Sequence, residues 1–304
     1  MNKQIRRIGV IGLGAMGMGV AQSLLRNGFE VHAYDVRPES LQTLADAGGH
    51  PARTPAALGA SVDALLILVV NAQQTEDVLF GEQGAAATLS PGSVVIASAT
   101  VSPEFAAALG ERLKKMDLQL IDAPVSGGAA KAASGEMSVM AAGAPEAFAL
   151  CEGVFGAICG KLYRLGDQPG QGSKVKMINQ LLAGVHIAAA AEAMALGLRA
   201  GCDAQALYEV ISNSAGNSWM FQNRVPHILA GDYTPLSAVN IFVKDLGIVL
   251  DYARKSFFPL PLSAAAHQMF LQASAAGHGG EDDSAVVKIF PGIDLPAPAG
   301  GKER

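Results

Sequence analysis

One stretch constrains this chain more than any other: Ile8-Gly9-Val10-Ile11-Gly12-Leu13-Gly14-Ala15-Met16-Gly17-Met18-Gly19, an apolar run that breaks into glycines spaced G-x-G-x-x-G. Gly12 allows a tight turn after a strand, Gly14 lets the backbone approach an anionic ligand, and Gly17 lets the following helix pack closely on the sheet. The unpaired N–H groups at that helix start then face the place where a pyrophosphate would sit. The chain has 35 glycines, so the spacing alone is weak, and its context carries the reading. A second strand, Glu30 to Tyr34, ends in Asp35, about 20 residues beyond the turn, where a carboxylate would accept hydrogen bonds from an adenosine ribose. The same carboxylate would repel a 2′-phosphate, so the expected ligand is NAD, held by Gly12, Leu13, Gly14, Ala15, Met16, Gly17 and Asp35. The alternative is a tight turn of the same shape that binds nothing.

From Arg7 to about Leu165, short apolar runs alternate with helical stretches, as in a doubly wound parallel sheet. Ala64 to Val70 is apolar throughout and predicts a central strand buried on both faces. Ser93 to Ala97 and Leu118 to Ala123 predict further strands, with Met137 to Ala142 and Leu162 to Arg164 extending the sheet. Helices are predicted at Pro103 to Lys115 and Pro145 to Phe155. After the Gly166 to Gly172 segment the chain turns alanine-rich and helical, from a long helix at Ser173 to Ala200 onward. Further helices are predicted at Asp203 to Asn213, Trp219 to Leu229, Val239 to Phe257 and Ser263 to Ala276, before a frayed tail from Pro296 to Arg304. The expected architecture is therefore an α/β Rossmann-type doubly wound sheet (1–167) followed by an all-α C-terminal domain (168–304), joined by a long interdomain helix.

Composition excludes several function classes. A net charge of -5 with no basic stripe argues against nucleic acid. The N-terminal Met1 to Arg7 has no apolar signal core, which predicts a cytoplasmic protein. Leu181 to Leu198 is apolar enough to raise the membrane question, but it carries His186 and Glu192, and its alanines suit a tightly packed buried helix; no membrane partner is expected. Cys151, Cys159 and Cys202 show neither disulfide nor zinc spacing and read as reduced core thiols. His32, His50, His227, His267 and His278 show no metal-ligand spacing either, so no metal is expected.

In a doubly wound sheet, ligands bind beyond the carboxyl ends of the strands. Three such ends carry suggestive residues: Val70-Asn71, Thr100, and Asp122 to Gly128. Gly127-Gly128 exposes successive N–H groups that, with Ser126, could cradle a carboxylate; the competing reading is a Pro/Gly turn whose serine caps a helix. Lys176, in the first turns of the long helix, is the candidate for proton transfer, because the positive dipole end and partial desolvation both disfavour its charged form. A neutral amine there can take a proton from an alcohol. Asn179 and Gln180 follow on the same helical face, whereas Lys174 points elsewhere. Asn217 and Trp219 could read further hydroxyls, against a competing reading as a helix cap and a core side chain.

Taken together, Gly12 to Gly17, Asp122 to Gly128, Gly170-x-Gly172-x-x-x-Lys176-x-x-Asn179-Gln180 and Lys244-Asp245-Leu246 resemble the β-hydroxyacid dehydrogenase family, which includes 3-hydroxyisobutyrate dehydrogenase and tartronate semialdehyde reductase. The resemblance implies that Ser126-Gly127-Gly128 binds substrate, that Lys176 is catalytic, and that Lys244, Thr100, Val70 and Asn71 line the cofactor. It implies a small hydroxy-acid substrate and a homodimer or homotetramer. Leu68 to Ala72, Gly135 to Ala141, Ala215 to Phe221, Gly231 to Pro235 and Glu281 to Ala285 are similar to one branch that oxidises a four-carbon sugar acid at C2. Departures from many relatives stand at Val69-Val70, Ala97, Ala99 and Gln180. A reductase of a related oxoacid and a non-catalytic NAD-sensing protein are the alternatives.

Overall fold

A computed structural model describes residues 5–297. The first four residues and the tail from Pro298 lie outside the described residues, and with them the start of the N-terminal segment and most of the expected frayed end. By their contacts, the described residues form two units that divide between Lys176 and Met177.

The first unit is built on six parallel strands: β1 (Arg7–Ile11), β2 (Glu30–Tyr34), β3 (His50–Pro51), β4 (Ala64–Ile67), β5 (Val94–Ala97) and β6 (Gln119–Asp122). Their order is β3-β2-β1-β4-β5-β6, so the chain starts in the middle and winds outward in both directions. The crossovers carry α1 (Gly17–Arg26), α2 (Pro38–Asp46), α3 (Pro55–Gly59), α4 (Ala72–Phe80) and α5 (Pro103–Lys114). Pro38, Pro55 and Pro103 each open a helix where a missing N–H costs nothing. All four residues of β4 are buried, as a strand covered on both faces requires. That strand is shorter than the apolar run predicts: it stops at Ile67, and Val70 is exposed. Val70 has left the ladder, and its N–H instead bonds to the Gln74 side chain.

Two further departures from the sequence reading occur downstream. The segments expected to extend the main sheet form a second sheet of β7 (Val125–Ser126), β8 (Met137–Ala141) and β9 (Cys159–Arg164), with β7 antiparallel and β9 parallel to β8. Pro124 has no N–H to continue the parallel ladder, and the chain turns back there. Among the described residues, an isolated antiparallel bridge between Asp122 and Ala142 joins the two sheets. The helix expected over Pro145 to Phe155 is two helices, α7 (Pro145–Leu150) and α8 (Glu152–Ile158), meeting at buried Cys151. Gly153 weakens continuation, while Glu152 suits a fresh N-terminus. A short α6 (Gly128–Ser134) packs on α1, with Gly19 meeting the backbone of Ala132 and Ala133.

The long helix α9 (Gln171–Arg199) begins in the first unit and continues into the second. Its opening turns belong with the first unit because Gly170 and Ser173 are bonded to Asp122, which places the division later than the expected boundary after residue 167. By length and composition alone it could cross a membrane, with a mean hydropathy of 1.7 in its most apolar window. Part of it is core (Ile187, Ala191, Met194), but Val175, Ile178, Leu182 and Leu196 are exposed, so it is less enclosed than its alanines suggest.

The second unit adds α10 (Ala204–Ser212), α11 (Trp219–Ala230), α12 (Val239–Lys255) and α13 (Pro261–Ala273), closed by a 3-10 turn over Asp283–Ile289. Asp203 and Ser218 cap α10 and α11 by accepting from Ala206 and Phe221 N–H groups. Phe242, Leu246 and Phe270 pack with Ile187 and Val286 as its core. Cys202 is exposed, contrary to the expectation of three core thiols.

Candidate active site

The site begins at the bend after β1. Gly12 turns at φ +92°, and a Cβ at Gly17 would stand 1.8 Å from the Gly12 carbonyl, so neither position tolerates a side chain. A Cβ at Gly14 would meet only the Arg37 guanidinium, 3.9 Å away, which leaves the outer face of the loop open to a ligand. No side chain caps the start of α1, where Met16 occupies the cap position, and of its first N–H groups that of Met18 donates to the Gly14 carbonyl at 3.1 Å.

Asp35 stands just beyond β2, 8% exposed, and its Oδ2 accepts from the Leu13 N–H at 2.6 Å. The same carboxylate accepts from Arg37, through its backbone N–H at 2.9 Å and its Nε at 3.0 Å. Burial pushes the Asp35 carboxyl up, but the hydrogen bonds of Arg37 and Leu13 outweigh it and hold the group below the usual carboxylate range. The acid is therefore ionised, at the strand end where a ribose-binding carboxylate is expected. It is also partly neutralised, by a residue that the strand-end rule does not look for.

The carboxyl ends of β4, β5 and β6 follow side by side. Leu68 donates to the Ile11 carbonyl, bringing the loop after β4 against the glycine bend. Asn71 caps α4, its Oδ1 accepting from the Gln74 N–H at 2.8 Å. Thr100 stands half-buried beyond β5. After β7, Gly127 and Gly128 adopt φ +134° and +72°. The cap position of α6 is Gly127, with no side-chain bond, so Ser126 is not the helix cap of the competing reading.

At the end of β6, Asp122 fixes the start of α9. Its Oδ2 accepts from the Gly170 and Ser173 N–H groups, each at 2.8 Å, and its Oδ1 from the Ser173 hydroxyl at 2.6 Å. Burial raises its carboxyl despite those bonds. Lys176 lies one turn past Ser173 and is 7% exposed, while Lys174 faces solvent.

Within the second unit, four residues form one hydrogen-bonded network around buried Gln180 and Asp245. Asp245, 2% exposed, accepts from Gln180 Nε2 at 2.6 Å and pairs with Lys244 Nζ. Asn179 Nδ2 in turn donates to Gln180 Oε1 at 3.1 Å. Gln180 is thus engaged at both ends of its amide, and Asn179 is the member of the pair exposed for an outside group. Asn217 is not part of this network. It donates to the Ser212 carbonyl at 2.9 Å, its buried Oδ1 has no partner among the described residues, and Ser218 rather than Asn217 caps α11. Trp219 is 61% exposed, so it is no core residue.

The residues present fit a dinucleotide: an open glycine bend, an uncapped helix start and an ionised acid at the next strand end. Sequence reading gave no role to Arg37, Asp122 or Asp245. Asp122 and Asp245 stood within quoted motifs, but their partners lie far along the chain.

Residues 7–166 match the NAD binding domain of 6-phosphogluconate dehydrogenase, and residues 170–290 match the NAD-binding domain of NADP-dependent 3-hydroxyisobutyrate dehydrogenase. The chain is 73% identical to an L-threonate dehydrogenase of Cupriavidus necator, over 97% of this chain and 99% of that one. It is 54% identical to an L-threonate dehydrogenase of Escherichia coli K12, over 95% and 96%. A crystal structure described as 3-hydroxyisobutyrate dehydrogenase from Salmonella typhimurium superposes with a TM-score of 0.90 at 52% identity, covering 93% of this chain and 99% of that one.

Proposed function

Because the chain belongs to the family of 3-hydroxyisobutyrate dehydrogenase-like, NAD-dependent oxidoreductases acting on CH–OH groups, we propose that its substrate is L-threonate, oxidised at C2 to 2-oxotetronate. The observation that carries the choice of acid is the 73% identity to the Cupriavidus necator enzyme along nearly the full length of both chains. Bound NAD supplies the hydride acceptor. Lys176, as the neutral amine, takes the proton of the C2 hydroxyl as the C2 hydride departs, so the alcohol loses two electrons and one proton passes to the chain. Ser126 and the N–H groups of Gly127 and Gly128 grip the substrate carboxylate. Asn179, steadied by Gln180 and Asp245, holds the reacting hydroxyl, and Asn217 offers its unpartnered Oδ1 to a further one. Lys244, with Val70, Asn71 and Thr100, lines the cofactor.

The test is NADH formation with L-threonate, D-threonate, L-glycerate, tartronate and 3-hydroxyisobutyrate at equal concentration. L-threonate is expected to give the highest kcat/KM; a higher value for 3-hydroxyisobutyrate would refute the choice of acid while leaving the reaction type intact. We further assign the chain to the cytoplasm as a homodimer or homotetramer. The exposed apolar side chains of α9 support the assembly, and sedimentation at a single 31.2 kDa mass would refute it.

A further inference from the structure

Glu30, His32 and His50 form a cluster that the reaction does not use. Glu30 and His32 stand two residues apart on β2, hence on one face of the sheet, and the parallel register sets His50 of β3 directly beside His32 on that face. His32 Nε2 lies 2.8 Å from Glu30 Oε1, and the two imidazole rings have centroids 4.8 Å apart. One nitrogen or oxygen from each residue lies within 4.8 Å of the others. Arg7 is the lateral neighbour of Glu30, but its guanidinium bonds to Asp63 at 3.0 Å. Glu30 therefore keeps its hydrogen bond with His32. All three side chains reach solvent, so an ion has an entry path.

We propose that Glu30, His32 and His50 bind one borderline divalent cation of the zinc type at the edge of the main sheet. Two imidazole nitrogens and one carboxylate oxygen suit zinc, nickel or copper, whereas magnesium and calcium take oxygen ligands. Three protein ligands leave a fourth position for water. The ion ties the two-residue edge strand β3 to β2, the strand that leads into Asp35. Spacing could not reveal it, because the two histidines meet only through strand pairing.

The experiment is calorimetric titration of metal-free protein with zinc chloride, for the wild type, His50→Ala and Glu30→Gln, with thermal unfolding in parallel. His50 and Glu30 are exposed, so both variants are expected to fold, with NAD-linked turnover unchanged. The expected result is one zinc per chain, binding weakened at least about tenfold in His50→Ala, and a zinc-dependent rise in Tm that this variant lacks. Absence of stoichiometric binding by the wild type, or equal affinity in His50→Ala, would overturn the proposal.

Discussion

Arg37 changes what Asp35 can do. A carboxylate alone at a strand end excludes a 2′-phosphate by charge, but here the guanidinium lies across it and within 3.9 Å of where a Gly14 side chain would begin. Asp35→Ser frees that guanidinium beside the ribose position. A charge-assisted hydrogen bond contributes roughly 1.5–3 kcal/mol, so the ratio of kcat/KM for NADP to that for NAD should rise at least about tenfold. An unchanged ratio in competition assays would show that Asp35 does not select the cofactor. The glycine bend and Asp35 were legible in the sequence because their logic is local: strand, turn, helix, acid. Arg37 sits only two residues further on, yet its partnership depends on how the chain folds back after β2. Asp122 and Asp245 were legible only as parts of motifs, since Ser173 and Gln180 are 51 and 65 residues away.

At the scale of elements, the clamp between β6 and α9 fixes the helix start one turn before Lys176. Gly172 is needed there, because a Cβ would lie 2.5 Å from the Met140 carbonyl and 2.6 Å from that of Asp122. Asp122→Asn keeps the size of the side chain but has only one acceptor oxygen for three donors. Denaturant unfolding should show a loss of about 1–3 kcal/mol, and kcat should fall more than the affinity for NADH, since the helix start shifts while the glycine bend does not. Unchanged kcat would mean that the clamp serves stability alone. The closing turn of the second unit carries a different consequence. Burial pushes Asp283 up to about 6, although Arg224 bonds to its carboxylate. An aspartate in the unfolded chain titrates near about 4, so between about pH 4 and 6 the folded state binds more protons. The contribution of this group is complete at low pH and is lost as pH rises through that window. Stability curves for Asp283→Asn should be flatter with pH there than those of the wild type. The sequence signalled these elements unequally. Most helices were visible from their proline and capping residues, whereas the second sheet was not, because the turn at Pro124 reverses a strand whose composition matches its neighbours.

At the scale of the whole chain, the residues of the proposed mechanism are distributed over both units. The first holds the dinucleotide residues, the Ser126 to Gly128 turn and Lys176; the second holds the Asn179, Gln180, Asp245 and Lys244 network. Helix α9 carries members of both, with Asn179 and Gln180 one turn beyond Lys176. This two-part plan was readable from the switch in composition after Gly166. The exposed apolar positions along α9 were not, because alanine-rich helices read alike whether they pack within one chain or against a second copy. Proton transfer by Lys176 is tested most directly by the rate of NADH formation from saturating L-threonate and NAD by Lys176→Ala, with NADH affinity measured by fluorescence on the same protein. The expected result is turnover lowered by on the order of 10² or more with NADH affinity little changed; turnover close to that of the wild type would contradict it.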